Sequence, residues 1–188
     1  RDDVESRGLG DVYKRQVNGQ LYLFYHNRSV EQAMGIEGNY RSPQVDQITI
    51  SGTKLHTVTG TMQGIAQQKS INPYSKIQAE TMSNQAGINV RGLSDTIVTD
   101  IDKGDWLQVS GVNFSKGASK IILTASSKNG CAVKICTGSP TGKAVGYAEI
   151  PAGGKMAEVT ASVQGLSGKQ DLYFVFSAQA EMDSWIAK

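Results

Sequence analysis

The chain has 188 residues, 39% hydrophobic and 19% charged, with 21 Gly and only 4 Pro, and Lys plus Arg outnumber Asp plus Glu by 19 to 17. That is the composition of an ordered, folding chain. No apolar run approaches the roughly 20 residues of a membrane-spanning helix, and no basic cluster suits a phosphate backbone, so neither a membrane nor a nucleic acid is an expected partner.

Arg1–Gln16 (RDDVESRGLGDVYKRQ) carries four acids and four bases, lacks an initiating Met and shows no helical or strand periodicity. It has no signal-peptide pattern and reads as a translated assembly scar, with the true frame opening near Val17 and protein missing upstream. Residues 17–62 read as strands. Gln20–Tyr25 is short and aromatic, and Val45–Ile50 and Leu55–Thr59 alternate on either side of Ser51-Gly52-Thr53, a hairpin signal. A piece this small buries too little surface to stand alone, so it is expected to belong to something larger. Residues 63–72 are polar and aperiodic, a linker.

Residues 73–188 carry strand signals at regular spacing: Lys76–Met82, Trp106–Phe114, Lys120–Ala125, Ala132–Thr137, Ala144–Ile150, Val159–Val163, Leu172–Phe176 and Ser184–Ala187. Gly-containing turns are predicted at 115–117, 128–130, 152–154 and 167–169. The expected class is all-β, a β-sandwich or jelly roll. Alternation puts Leu172, Phe174 and Phe176 in the core, with Tyr173, Val175 and Ser177 on the other face. It also puts Trp106, Gln108 and Ser110 on one face and Asp105, Leu107 and Val109 on the other. Cys131 and Cys136 lie in one predicted strand, about 16 Å apart, too far for a disulfide. They read as small apolar residues.

The order LYLFYHN, GNYRSPQVDQITI, SGTKLHTVTGTMQG resembles the last blade of the five-bladed β-propeller of glycoside hydrolase family 43, whose members include arabinofuranosidases, xylosidases and arabinanases. The resemblance places His26 near the propeller axis, where it would help hold a central cation in the parent protein, and matches Arg41. Glycoside hydrolysis needs paired carboxylates, which this family supplies from earlier blades. Asp46, Glu31 and Glu37 match no catalytic motif, so no turnover is expected of these residues by themselves.

The motifs IQAETMSNQAG, DIDKGDWLQVSGVNFSKGASKIILTASS, VKICTGSPTGKAVGYAEIPAGG, GLSGKQDLYFVFSA and MDSWIAK resemble a family 6 carbohydrate-binding module over almost its whole length. The two resemblances together imply a secreted or cell-surface bacterial glycosidase carrying a module that binds xylan, arabinoxylan, arabinan or β-glucan. In that family a loop cleft at one end of the sandwich stacks a sugar between two rings beside an Asn. Here those positions fall on Asp100, Lys155 and Glu181, so the cleft is expected to be degenerate, with the three residues forming a charged cluster. Some members bind glycan on the concave sheet face, which implies a site at Trp106 and Gln108. The alternative is a half-buried Trp106 that stiffens the sheet, in a module that braces the propeller by packing on it. Trp185 is expected in the core. The family's structural calcium would fall to Gln78 and Glu80, but Lys188 stands at its terminal Asp position. Either a calcium is held there, or Lys188 neutralises Glu80 in its place.

Overall fold

The computed structural model describes residues 13–35, 38–39, 41–61 and 64–188. The chain forms two compact units, the first ending at Gln68 and the second running over Lys69–Lys188.

In the first unit, β1 (Tyr13–Val17), β2 (Gln20–Asn27) and β3 (Ser42–Ile48) make an antiparallel sheet in that order. Asn18 and Gly19, at φ 51° and 78°, join β1 to β2. Two successive left-handed residues give the turn whose twist matches a hairpin. Residues 13–16, read as outside the fold, pair within it: Tyr13 with Phe24 and Gln16 with Leu21. The Asn-Gly pair is the signal that went unused. A second correction is the short helix α1 (Ser29–Met34), which ends on left-handed Gly35, φ 66°, in a region read as strands throughout. The side chain of Asn27 accepts the Ser29 amide at 3.0 Å, a local bond that turns the chain away from β2. The predicted hairpin about Gly52 exists but is short, β4 (Ile50–Ser51) against β5 (Lys54–Leu55).

The second unit is an antiparallel sandwich of β6 (Ile77–Gln78), β7 (Asn84–Ala86), β8 (Asn89–Arg91), β9 (Ile97–Ile101), β10 (Trp106–Ser126), β11 (Cys131–Thr137), β12 (Ala144–Ile150), β13 (Ala157–Phe176) and β14 (Ala180–Ala187). Its organising feature is the pairing of β10 with β13 along nearly their whole length, from Trp106 opposite Val175 to Ala125 opposite Ala157. The first half of β10 lies between β7 and the second half of β13, which continues to β11. The second half of β10 lies between the first half of β13 and β14, which continues to β6 and β9. Each long strand thus serves both layers. The turns predicted at 115–117 and 167–169 are register shifts between Phe114 and Ala118 within one continuous pair. Left-handed Gly117 and Gly168, φ 70° and 65°, bend the strands there without reversing them.

The predicted strand over Lys76–Met82 shrinks to Ile77–Gln78, and the short strands β7 to β9 had not been foreseen. Alternation assigned the faces of the long strands correctly: Leu107, Val109, Leu172, Phe174 and Phe176 are buried. Phe174 packs on Trp185, with ring centroids 5.5 Å apart and planes tilted by 53°, and Trp185 is buried, as the sequence suggested. Cys131 and Cys136 are free and buried. Burial pushes the Cys136 thiol up, against the pull of Lys134, which keeps it unreactive.

Candidate functional site

Two surfaces of the sandwich collect the residues singled out by the sequence. The first is a cleft of about 420 Å³ lined by Asp100, Ser126, Lys128, Gly153, Gln179 and Glu181, among others; no aromatic ring lines it among the described residues. Asp100 enters it from a bulged edge of β9, in the left-handed region at φ 55°. Asp is one of the few side chains that tolerate that conformation, because its short carboxylate can bond locally. It accepts the Asn89 amide at 3.0 Å. Glu181 pairs with Arg91 at 3.0 Å. Lys155 follows Gly154, which lines the cleft, but makes no ion pair with either acid among the described residues. The expected triad of Asp100, Lys155 and Glu181 is therefore replaced by two separate pairs with Asn89 and Arg91. The amide and the guanidinium both come from β8, an element the sequence reading had missed.

The second surface is the sheet face carrying Trp106 and Gln108. Trp106 is half-buried and leans on Tyr173, with centroids 5.6 Å apart and planes tilted by 58°. Tyr173 is only 8% exposed, and burial, reinforced by Asp171 and Cys136, raises its phenol pKa. Beside the rings, Gln108 Nε2 donates to Ser110 Oγ at 2.9 Å and lies 3.5 Å from Asp171 Oδ2. Asp171 Oδ1 is fixed by the Gly111 amide at 2.8 Å. A braced indole next to an oriented amide, hydroxyl and carboxylate offers an apolar platform and hydrogen-bonding groups side by side. Register extends the face: Val175 stands opposite both Trp106 and Lys134, and Lys134 opposite Tyr147. Lys134 and Tyr147 escaped the sequence reading. Alternation in β12 does put Val145, Tyr147 and Glu149 on one face, but which neighbour they meet depends on long-range pairing.

The remaining candidates are scattered. At the calcium position, Thr96 Oγ1 donates to Glu80 Oε1, and Glu80 Oε2 is buried without a partner. Gln78 is exposed. Lys188 does not pair with Glu80 among the described residues. Its backbone bonds to Ser119 and Lys120, while the ion pair of this region joins Lys76 to Asp183 at 3.1 Å. The expected replacement of the ion by Lys188 is thereby corrected. Calcium takes six to eight oxygens, and no group of three or more His, Cys, Asp or Glu among the described residues could hold a metal. One carboxylate with an exposed amide does not fit that ion.

In the first unit, His26 Nδ1 is buried without a partner, and Arg41 is exposed just before β3. Asp46 is engaged by the Tyr25 hydroxyl at 2.5 Å and by Thr61 Oγ1 at 2.6 Å. Burial raises its pKa, but these bonds prevail and hold it low. Glu31 accepts from Arg28 at 2.7 Å and from the Gly38 amide at 3.0 Å, and the Arg28 bond chiefly holds its carboxyl at about 2. Both acids tie the fold together. Glu37 lies outside the described residues.

An antiparallel sandwich with a braced Trp on one sheet face and a polar cleft at a loop end is the architecture of a sugar-binding domain. Residues 78–187 match the model of carbohydrate binding module family 6, and the chain belongs to that family. It is 30% identical over 184 residues to an arabinoxylan arabinofuranohydrolase of Paenibacillus polymyxa, covering 88% of this chain and 29% of that protein. It also superposes, at a TM-score of 0.87 and 26% identity, on a glycoside hydrolase family 43 arabinoxylan arabinofuranohydrolase from Bacillus subtilis in complex with cellotetraose, over 94% of this chain and 40% of that one. A β-1,3-glucan-binding family 6 module from Bacillus halodurans matches at a TM-score of 0.61 and 31% identity, over 64% of this chain and 99% of the module. The chain thus spans under half the length of the arabinofuranohydrolases it resembles.

Proposed function

We propose that the second unit binds a neutral polysaccharide of the xylan, arabinoxylan, arabinan or β-glucan class on the sheet face centred on Trp106 and Gln108, and that the end cleft has lost its ring-stacking role. The observation that carries this is the half-exposed Trp106 ring, braced by Tyr173 and flanked by the Gln108–Ser110–Asp171 network. Sugars present an apolar C–H face and a ring of hydroxyls, and this arrangement answers both. The cleft around Asp100 and Glu181 answers only the hydroxyls. The relatives support the ligand class: one binds β-1,3-glucan and one was crystallised with cellotetraose.

In this reading the module holds its parent enzyme near substrate and raises the local concentration. The parent is a glycosidase acting on arabinoxylan, as the Paenibacillus relative suggests. The three-stranded meander of the first unit is read as the last blade of that enzyme's propeller.

Affinity electrophoresis of the full chain in gels containing xylan, arabinan or β-glucan tests the assignment. Retardation is expected on at least one glycan, lost in Trp106→Ala by about tenfold or more in affinity and kept in Glu181→Ala. Retardation lost in Glu181→Ala and kept in Trp106→Ala would return the site to the cleft. No retardation on any glycan would favour a module that braces its propeller.

A further inference from the structure

We infer that the Trp106 face is one end of a longer binding lane whose far end is Tyr147, and that its ligand is an internal stretch of an extended neutral glycan lying across the strands. The inference rests on the sheet-face reading above and gives that site its direction and length.

Trp106 on β10, Val175 on β13, Lys134 on β11 and Tyr147 on β12 stand directly opposite one another in register, a single row across four strands. Neighbouring strands lie about 4.8 Å apart, so three steps separate the two aromatic positions by on the order of 14 Å. That is too far for one sugar ring and suits several in succession. Tyr147 is 57% exposed, while Ala148 and Ile150 of the same strand are buried. The Tyr147 ring is therefore on the outer face, and its hydroxyl makes no hydrogen bond among the described residues. An isolated exposed Tyr needs no explanation; one in register with a braced Trp forms the second end of a platform.

The positions between are suited to the same ligand. Val175 is half-buried and apolar. Lys134 combines an apolar stem with a donor head. In the adjoining row Gln108 is in register with Tyr173 and Cys136, of which Gln108 alone is more than marginally exposed. Lys134 shares the face with Asp171 and Glu149, which leaves one negative charge in excess, so the lane disfavours a polyanionic chain and suits a neutral one.

Isothermal titration of the full chain with xylo- and cello-oligosaccharides from disaccharide to hexasaccharide tests the lane. Affinity is expected to rise with length in the wild type. Tyr147→Ala should bind the hexasaccharide about tenfold more weakly and the disaccharide unchanged, and Tyr147→Phe should behave as wild type. Equal hexasaccharide affinity in Tyr147→Ala and the wild type, with Trp106→Ala still abolishing binding, overturns the lane and leaves the Trp106 site standing. Retention of binding by Trp106→Ala overturns both.

Discussion

Tyr173 offers the sharpest test of how the proposed binding face is built. Its ring is almost wholly buried beneath the outer surface and meets Trp106 at a tilted 5.6 Å contact, while its hydroxyl makes no hydrogen bond among the described residues. Tyr173→Ala removes the brace and leaves the indole free to rotate. A tilted aromatic pair is worth about 0.5–1.5 kcal/mol beyond the area it buries. If that amount orients Trp106, its loss weakens glycan binding by roughly twofold to twelvefold. The same substitution empties a buried ring site and destabilises the fold by up to about 3–5 kcal/mol, so titrations belong well below the variant's melting temperature. Tyr173→Phe keeps the ring and is expected to leave affinity and melting temperature unchanged. Tryptophan fluorescence reads the indole directly, and its emission should move toward that of exposed Trp in Tyr173→Ala alone. Unchanged affinity in Tyr173→Ala, while Trp106→Ala abolishes binding, would show that the indole holds itself. Equal damage from Tyr173→Phe would show that the hydroxyl matters and that the ring argument is wrong.

Two further outcomes concern protons and ions. Asp183 is held below the usual carboxylate range by the Ser184 hydroxyl and Lys76, against its burial; Asp46 is held low as well, and Glu31 at about 2. The unfolded chain takes up protons first as the pH falls, so stability present above about pH 4 is lost as these groups protonate toward pH 2. A melting temperature flat from pH 6 to about pH 2.5 would refute this. Adding calcium to the full chain should leave the melting temperature unchanged, because Glu80 and Gln78 do not complete a coordination shell. A site saturated a hundredfold above its Kd would add about 2.7 kcal/mol, a rise of several degrees, and such a rise would overturn the assignment.

How far the sequence spoke depends on the range of the interaction. The alternation of 106–114 and 172–176 is a local property, and it placed Leu107, Phe174, Trp106 and Tyr173 on the correct faces. Gly117 and Gly168 were misread because a glycine that reverses a strand and one that bends it look alike along the chain; only the partner strand distinguishes them. β7 and β8 escaped notice because their residues are exposed or only half-buried and mostly polar, with one apolar residue in each, so no apolar period marks them, and with β8 went Arg91 and Asn89. Tyr147 was visible as an outward residue of β12. Its alignment with Trp106 was not, since that follows from β12 pairing with β11, β11 with β13 and β13 with β10.

The passage of β10 and β13 through both layers also has a mechanical meaning. If the module is anchored to a fibre and joined to an enzyme, as proposed, it transmits whatever pull acts between the two. Trp106 and Val175 sit at one extremity of the β10–β13 ladder and Ala125 and Ala157 at the other. If glycan is held at the Trp106 end, as proposed, tension entering there spreads along one hydrogen-bonded seam that shifts register but continues to the far end. Separating the layers would mean breaking that seam, which makes the domain a tether that yields as a whole.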